Sequence, residues 1–122
     1  MTTLECRPAL AATARQNLRH NGVDNVTVLD VSAADGAQGL TREAPFDAIV
    51  LSGSVAEVPP ALLQQLKPGG RLVAVVGDEP VMRARLYTRT ANTAVATFGE
   101  ADLFDTVVPR LEGFAEPSRF SF

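Results

Sequence analysis

Two apolar runs of strand length organise the middle of the chain. Asp47-Ala48-Ile49-Val50-Leu51 is entered from Pro45-Phe46 and closed by Ser52-Gly53, and Arg71-Leu72-Val73-Ala74-Val75-Val76 is closed by Gly77. Runs with so few polar interruptions predict strands covered on both faces, as in a parallel sheet. Between them, Leu62, Leu63 and Leu66 recur at helical spacing. Lys67-Pro68-Gly69-Gly70 then ends that helix, because proline cannot extend it and glycine accepts the left-handed turn. Strand, short helix, Gly-Gly turn and strand make one βαβ unit, with the right-handed crossover that strand twist imposes.

The pattern changes on either side. Met1 to Glu5 is a short strand ending in an acid. Pro8 suits a first helical turn, and Leu10, Ala11, Ala14 and Leu18 share one helix face before Asn21-Gly22 stops it. Asn25 to Leu29 is the next strand, and Asp30 to Ala44 reads as a loop. Further on, Met82, Ala84, Leu86 and Thr88 alternate with Arg83, Arg85, Tyr87 and Arg89, the period of a half-exposed strand. Ala91-Asn92 is the expected turn, and Thr93 to Val108 holds β-prone runs interrupted around Gly99. The arginine row reads as a solvated edge protected by its charge. The prediction is an α/β fold with parallel strands near 1–5, 26–30, 46–51 and 71–76. An antiparallel hairpin near 82–90 and 93–108 follows, and helices lie near 8–20 and 59–66. Residues 1–108 form one domain. Residues 109–122 form a tail, ordered if Phe120 and Phe122 dock.

Length and composition narrow the class. At 122 residues the chain is one domain, and 46% hydrophobic residues suffice for a core. A net charge of −3 gives no basic surface for nucleic acid. One cysteine, Cys6, excludes an internal disulfide and an all-cysteine metal cage. No stretch approaches the roughly 20 apolar residues of a membrane span. No basic segment followed by an apolar one opens the chain, so a signal peptide is not expected and the cytoplasm is the expected location.

Candidate chemistry lies at the strand ends, where open α/β sheets bind ligands. Glu5 ends a strand and faces the following helix, the arrangement that holds a nucleotide ribose by accepting from its two hydroxyls. Acids after strands are also common without any ligand, and the residues alone leave both readings open. Ser52, Gly53 and Ser54 follow the first central strand; the two hydroxyls can bind a carboxylate, or equally cap a helix or make a turn. The single histidine, His20, sits on a helix surface, so no nucleophile–base pair is visible.

A longer string carries a resemblance. Ala44-Pro45-Phe46-Asp47-Ala48-Ile49-Val50, Val58-Pro59, Leu62-Leu63-Gln64-Gln65-Leu66-Lys67-Pro68-Gly69-Gly70-Arg71-Leu72-Val73 and Val76-Gly77 together resemble the later part of protein-L-isoaspartate O-methyltransferases. The Lys-Pro-Gly-Gly-Arg-Leu turn is common among methyltransferases; the whole string is far more specific, and the similarity extends from about Leu4 to Val108. The resemblance implies a Rossmann-like fold, S-adenosylmethionine as cofactor, and methyl transfer to an isoaspartyl carboxylate in damaged protein. It makes Glu5 the ribose acid. It places Asp35 and Gly36 beside the adenine, although the family's Gly-Asp-Gly is here Ala34-Asp35-Gly36 and Asp30 is a competing acid. It brings Ser52, Gly53 and Ser54 near the methyl acceptor. A substrate carboxylate is itself the nucleophile toward a sulfonium methyl, so proximity and orientation suffice without a catalytic base.

The resemblance also exposes a gap. Such methyltransferases carry a glycine-rich cofactor loop before the ribose acid, where only glycine allows close backbone approach. No Gly-x-Gly precedes Glu5. The expectation is therefore a methyltransferase fold truncated at its N-terminus, as a fragment or short homologue, with weak or no S-adenosylmethionine binding by this chain alone. The alternatives are a non-catalytic assembly module and a methyltransferase-like enzyme on another substrate. A missing central strand would leave strands 1–5 and 46–51 with bare edges, open to a homo-oligomer or to the missing N-terminal segment.

Overall fold

The computed structural model describes residues 1–90 and 97–116. Chain order is β1 (Thr2–Glu5), α1 (Pro8–His20), β2 (Thr27–Asp30), α2 (Ala33–Ala37), β3 (Phe46–Val55), α3 (Pro60–Leu63), β4 (Leu66–Asp78), β5 (Val81–Arg89) and β6 (Phe98–Asp105). The strands form two separate sheets: a parallel pair β1–β2, and a four-stranded sheet in the order β3-β4-β5-β6. Strands β3 and β4 run parallel; β4, β5 and β6 are successively antiparallel. The fold is thus α/β with parallel strands followed by an antiparallel hairpin, as the hydrophobic pattern predicts. The two strands expected to flank a missing neighbour, β1 and β3, do not pair with each other.

Helix α1 matches its predicted span to the residue, because both ends are written locally. Proline stands in its first turn, and Asn21 and Gly22 close it, Gly22 at φ +69°. Its apolar face is thinner than the sequence suggests: Ala11 is buried, whereas Leu10 is 51% exposed. The predicted helix 59–66 shrinks to Pro60–Leu63. Chain leaves the helix early because the Gln65 carbonyl accepts from Phe46 N–H at 2.7 Å and Leu66 pairs with Phe46, starting β4 before the Gly-Gly turn. Lys67 to Gly70 then loop out of the ladder, with Gly69 at φ +80°, and pairing resumes at Arg71 opposite Ala48.

The segment read as a loop, Asp30 to Ala44, contains α2. Ser32 caps it, its hydroxyl accepting from Asp35 N–H at 3.1 Å, and Asp35 places an acid in the first turn. The buried Gln65 side chain then pins the following chain, donating to Gln38 carbonyl at 2.7 Å and accepting from Leu40 N–H at 3.1 Å.

The core belongs to the larger sheet. Val55, Val58, Leu62, Leu66, Leu72, Ala74 and Tyr87 cluster on the face covered by α3, with Leu111 and Phe114 packed against them from the C-terminal segment. Strand β3 is not covered on both faces, contrary to its apolar run: Val50 is 71% exposed. The arginine row is likewise not a solvated edge. Strand β5 is interior, and Arg83 and Arg85 pair across to Asp102, Asp105 and Glu100 of β6, which is the edge strand. The irregularity in β6 falls at Leu103, where the partners shift from Arg85–Asp102 to Ala84–Phe104, while Gly99 pairs regularly with Thr88. The expected turn at Ala91-Asn92 and the terminal phenylalanines lie outside the described residues.

Candidate functional site

The acids and hydroxyls singled out in the sequence stand at the carboxyl ends of β1, β2 and β3 and at the start of α2. Parallel pairing aligns Glu5 with Asp30, so two carboxylates end adjacent strands. Their surroundings differ. Arg15, reaching down from α1, donates to Asp30 at 3.1 Å and to Val28 carbonyl at 2.9 Å, which commits Asp30 to holding α1 on β2. Glu5 is half-buried, and its carboxylate accepts from Arg7 N–H at 3.1 Å, at the entrance to α1. Among the described residues no cation pairs with Glu5 or Asp35.

Asp35 is exposed on the first turn of α2, which lies beside β1. Gly36 follows it, packed so that a side chain there would press on Val31 at 3.3 Å. Helix α2, which carries Asp35-Gly36, thus lies beside the strand that ends in Glu5, while Asp30 is engaged with Arg15. Two carboxylate acceptors without competing cations suit the hydroxyls and amino group of a nucleoside better than an anion.

The third group divides. Ser52 is exposed. Gly53 and Ser54 are buried under the C-terminal segment: a side chain on Gly53 would meet Leu111 at 2.8 Å, and Ser54, 0% exposed, donates its hydroxyl to Val108 carbonyl at 3.0 Å. Backbone pairing reinforces this seat, with Ser54 N–H donating to Pro109 carbonyl and Leu111 N–H to Ser54 carbonyl, each at 2.8 Å.

Two residues of that segment join the site without any local signal in the sequence. Arg110 donates to Gly77 carbonyl at 2.8 Å and pairs with Asp78 and Glu116, locking the segment over the ends of β3 and β4. Glu112 reaches the other sheet, accepting from Arg7 Nε at 2.9 Å and from the Cys6 thiol at 3.5 Å. The Arg7 guanidinium, with help from the Cys6 hydrogen bond, holds Glu112 below the usual carboxylate range. Partial burial and then the Glu112 bond push the Cys6 thiol up. No group of three or more His, Cys, Asp or Glu suited to a metal ion occurs among the described residues, and no described helix is long and apolar enough to cross a membrane.

Comparison with known proteins extends this picture. Residues 1–108 match the model of the family "Protein-L-isoaspartate(D-aspartate) O-methyltransferase (PCMT)". A protein-L-isoaspartate O-methyltransferase of Methanopyrus kandleri is 36% identical over 115 residues, covering 94% of this chain and 50% of that protein. One from Roseiflexus castenholzii is 47% identical over 91 residues, covering 75% of this chain and 40% of that protein. The chain thus spans half or less of the length of these relatives. A crystal structure from Plasmodium falciparum, assigned as a protein-L-isoaspartate O-methyltransferase and containing S-adenosyl-L-homocysteine, superposes with a TM-score of 0.68 at 21% identity, over 92% of this chain and 52% of that one. At that identity the likeness speaks for the fold, a Rossmann-like methyltransferase fold.

Proposed function

The chain belongs to the protein-L-isoaspartate(D-aspartate) O-methyltransferase family, and from that premise we propose that it serves S-adenosylmethionine-dependent methyl transfer to the isoaspartyl carboxylate of a damaged protein or peptide. One observation carries the reading: the Glu5 carboxylate stands at the carboxyl end of β1, beside α2 and in no ion pair among the described residues, whereas its neighbour Asp30 is paired with Arg15. Glu5 accepts from the ribose hydroxyls, and Asp35 with Gly36 borders the adenine. When bound, the cofactor supplies an electrophilic methyl. The protein's part is orientation: the exposed Ser52 hydroxyl donates to the substrate carboxylate, and the buried Gly53 and Ser54 hold the backbone that carries it. The single free Cys6, half-buried, suits a reducing compartment such as the cytoplasm.

Calorimetric titration with S-adenosylhomocysteine tests this. Binding by this chain is expected to be weaker than micromolar, and Glu5→Gln is expected to abolish it. Micromolar binding that survives Glu5→Gln would remove both the weakness and the role given to Glu5.

A second reading, a strand-pairing assembly module, is favoured by the outer edge of β3. From Phe46 to Ser52 that edge has no strand partner among the described residues, and Val50 is exposed upon it. A second copy of the chain is the proposed occupant. Sedimentation that stays monomeric across concentrations, with slow amide exchange throughout 46–51, would exclude it.

A further inference from the structure

The segment from Val108 to Glu116 links the two sheets, and its path crosses the proposed nucleoside cradle. It pairs with the end of β3 through Ser54, and Leu111 and Phe114 sink into the core. Glu112 then crosses to Arg7 and Cys6, the two residues that follow Glu5. Gly113, at φ +85°, lies directly on Ala33, two residues before Asp35; a Cβ at Gly113 would overlap the Ala33 carbonyl group. Residues 112 and 113 are therefore wedged between the end of β1 and the start of α2, the two elements that carry Glu5 and Asp35-Gly36.

We propose that residues 109–116 form an autoinhibitory strap, which shares its space with a nucleoside ligand and must lift for that ligand to enter. The inference rests on the nucleoside reading of Glu5 and Asp35 and adds its regulation. The strap is built to be reversible. Its grip on the cofactor side is an ion pair between exposed side chains, which contributes little in water, with the long Cys6 bond and the Gly113 contact on Ala33 beside it. Its grip on the other side is backbone pairing to Ser54 and two apolar side chains, so the crossing residues can detach while the anchor stays. A strap closed nine-tenths of the time lowers apparent affinity about tenfold, since only the open fraction binds.

Two substitutions unseat the crossing by different means. Glu112→Gln weakens the bond to Arg7 at an exposed position; Gly113→Val puts a side chain where Ala33 leaves no room and where a positive φ disfavours it. Each is expected to bind S-adenosylhomocysteine about tenfold tighter by calorimetry. Added to the unaltered chain, S-adenosylhomocysteine is expected to speed hydrogen exchange at the amides of residues 112 to 114. Equal affinity in the unaltered chain and both variants, with exchange showing the crossing released, would overturn the strap while leaving the nucleoside site standing. No binding by any of the three would remove the nucleoside reading and the strap together.

Discussion

The two sheets of this molecule divide labour unevenly. The four-stranded sheet holds nearly all of the buried apolar volume, with Leu66, Leu72, Val55 and Tyr87 at its centre. The β1–β2 pair with α1 and α2 buries Ala11, Val28 and Ala37, yet it carries Glu5 and Asp35, the two acids proposed to face the cofactor. A two-stranded parallel ladder has little independent stability, so this half depends on what ties it to the rest. Among the described residues those ties include Glu112 on Arg7, Gly113 on Ala33 and the Gln65 side chain on the chain after α2. The proposed chemistry thus sits on the looser half, and packing on the other, which is the usual distribution between mobile sites and rigid scaffolds.

The comparison breaks most visibly in the core. Leu72→Ala is expected to cost about 2–5 kcal/mol, enough to unfold a marginal domain, whereas Val28→Ala in the small sheet is expected to cost about 1–2 kcal/mol. Urea denaturation of both variants checks the asymmetry; equal losses would mean that the sheets share one core. Arg110→Gln comes next. It removes the pairs with Asp78 and Glu116 and the bond to Gly77 carbonyl, on a side chain about one-quarter exposed. A loss of about 1–2 kcal/mol is expected. It should appear with faster exchange at Leu111 N–H, and slow exchange there would mean that Leu111 and Phe114 hold the segment unaided.

Smallest is Asp102→Asn. Arg85, hydrogen-bonded to Asp102 at 2.8 Å, holds that carboxylate below its usual range, and Arg83 adds to the effect. A depressed carboxylate stabilises the fold above its ordinary titration range and loses that contribution as pH falls through the folded value. The variant should therefore approach the unaltered chain in thermal melts as pH falls through that folded value, and melt slightly below it at neutral pH. A difference that grows as pH drops would contradict the assigned pairing.

Legibility in the sequence followed the range of the interactions. Helix α1 was readable because Pro8 and Asn21-Gly22 mark both ends within the chain itself. Helix α2 was equally readable in principle, since Ser32-Ala33-Ala34-Asp35 has the spacing of a capping box, but the glycines around it suggested a loop. The early end of α3 was not readable, because it depends on Phe46 reaching Gln65 from a distant strand. Nor was the role of the arginines: alternation revealed a strand, but only its place between β4 and β6 shows which acids oppose them. In the candidate site, Glu5 and Asp35-Gly36 were found through the family resemblance. Arg110 and Glu112 were missed, as nothing near them in sequence foretells Asp78, Arg7 or Cys6 as partners.

Strands β3 to β6 lie in their sheet in the order in which synthesis delivers them. Each new strand meets a neighbour already made, across a short separation, which favours rapid pairing. The bond from Arg110 to Ser54 is different, spanning 56 positions. At about 5–20 residues per second, a ribosome needs roughly 3–11 s after placing Ser54 before Arg110 exists. Through that interval the C-terminal end of β3 has no cover from residues 108–111, and its backbone groups are open to any passing strand. The nascent chain is therefore more prone to mispairing at the end of β3 until residues 108–111 arrive, and slowing translation between the codons for Asp105 and Arg110 should lower its soluble yield.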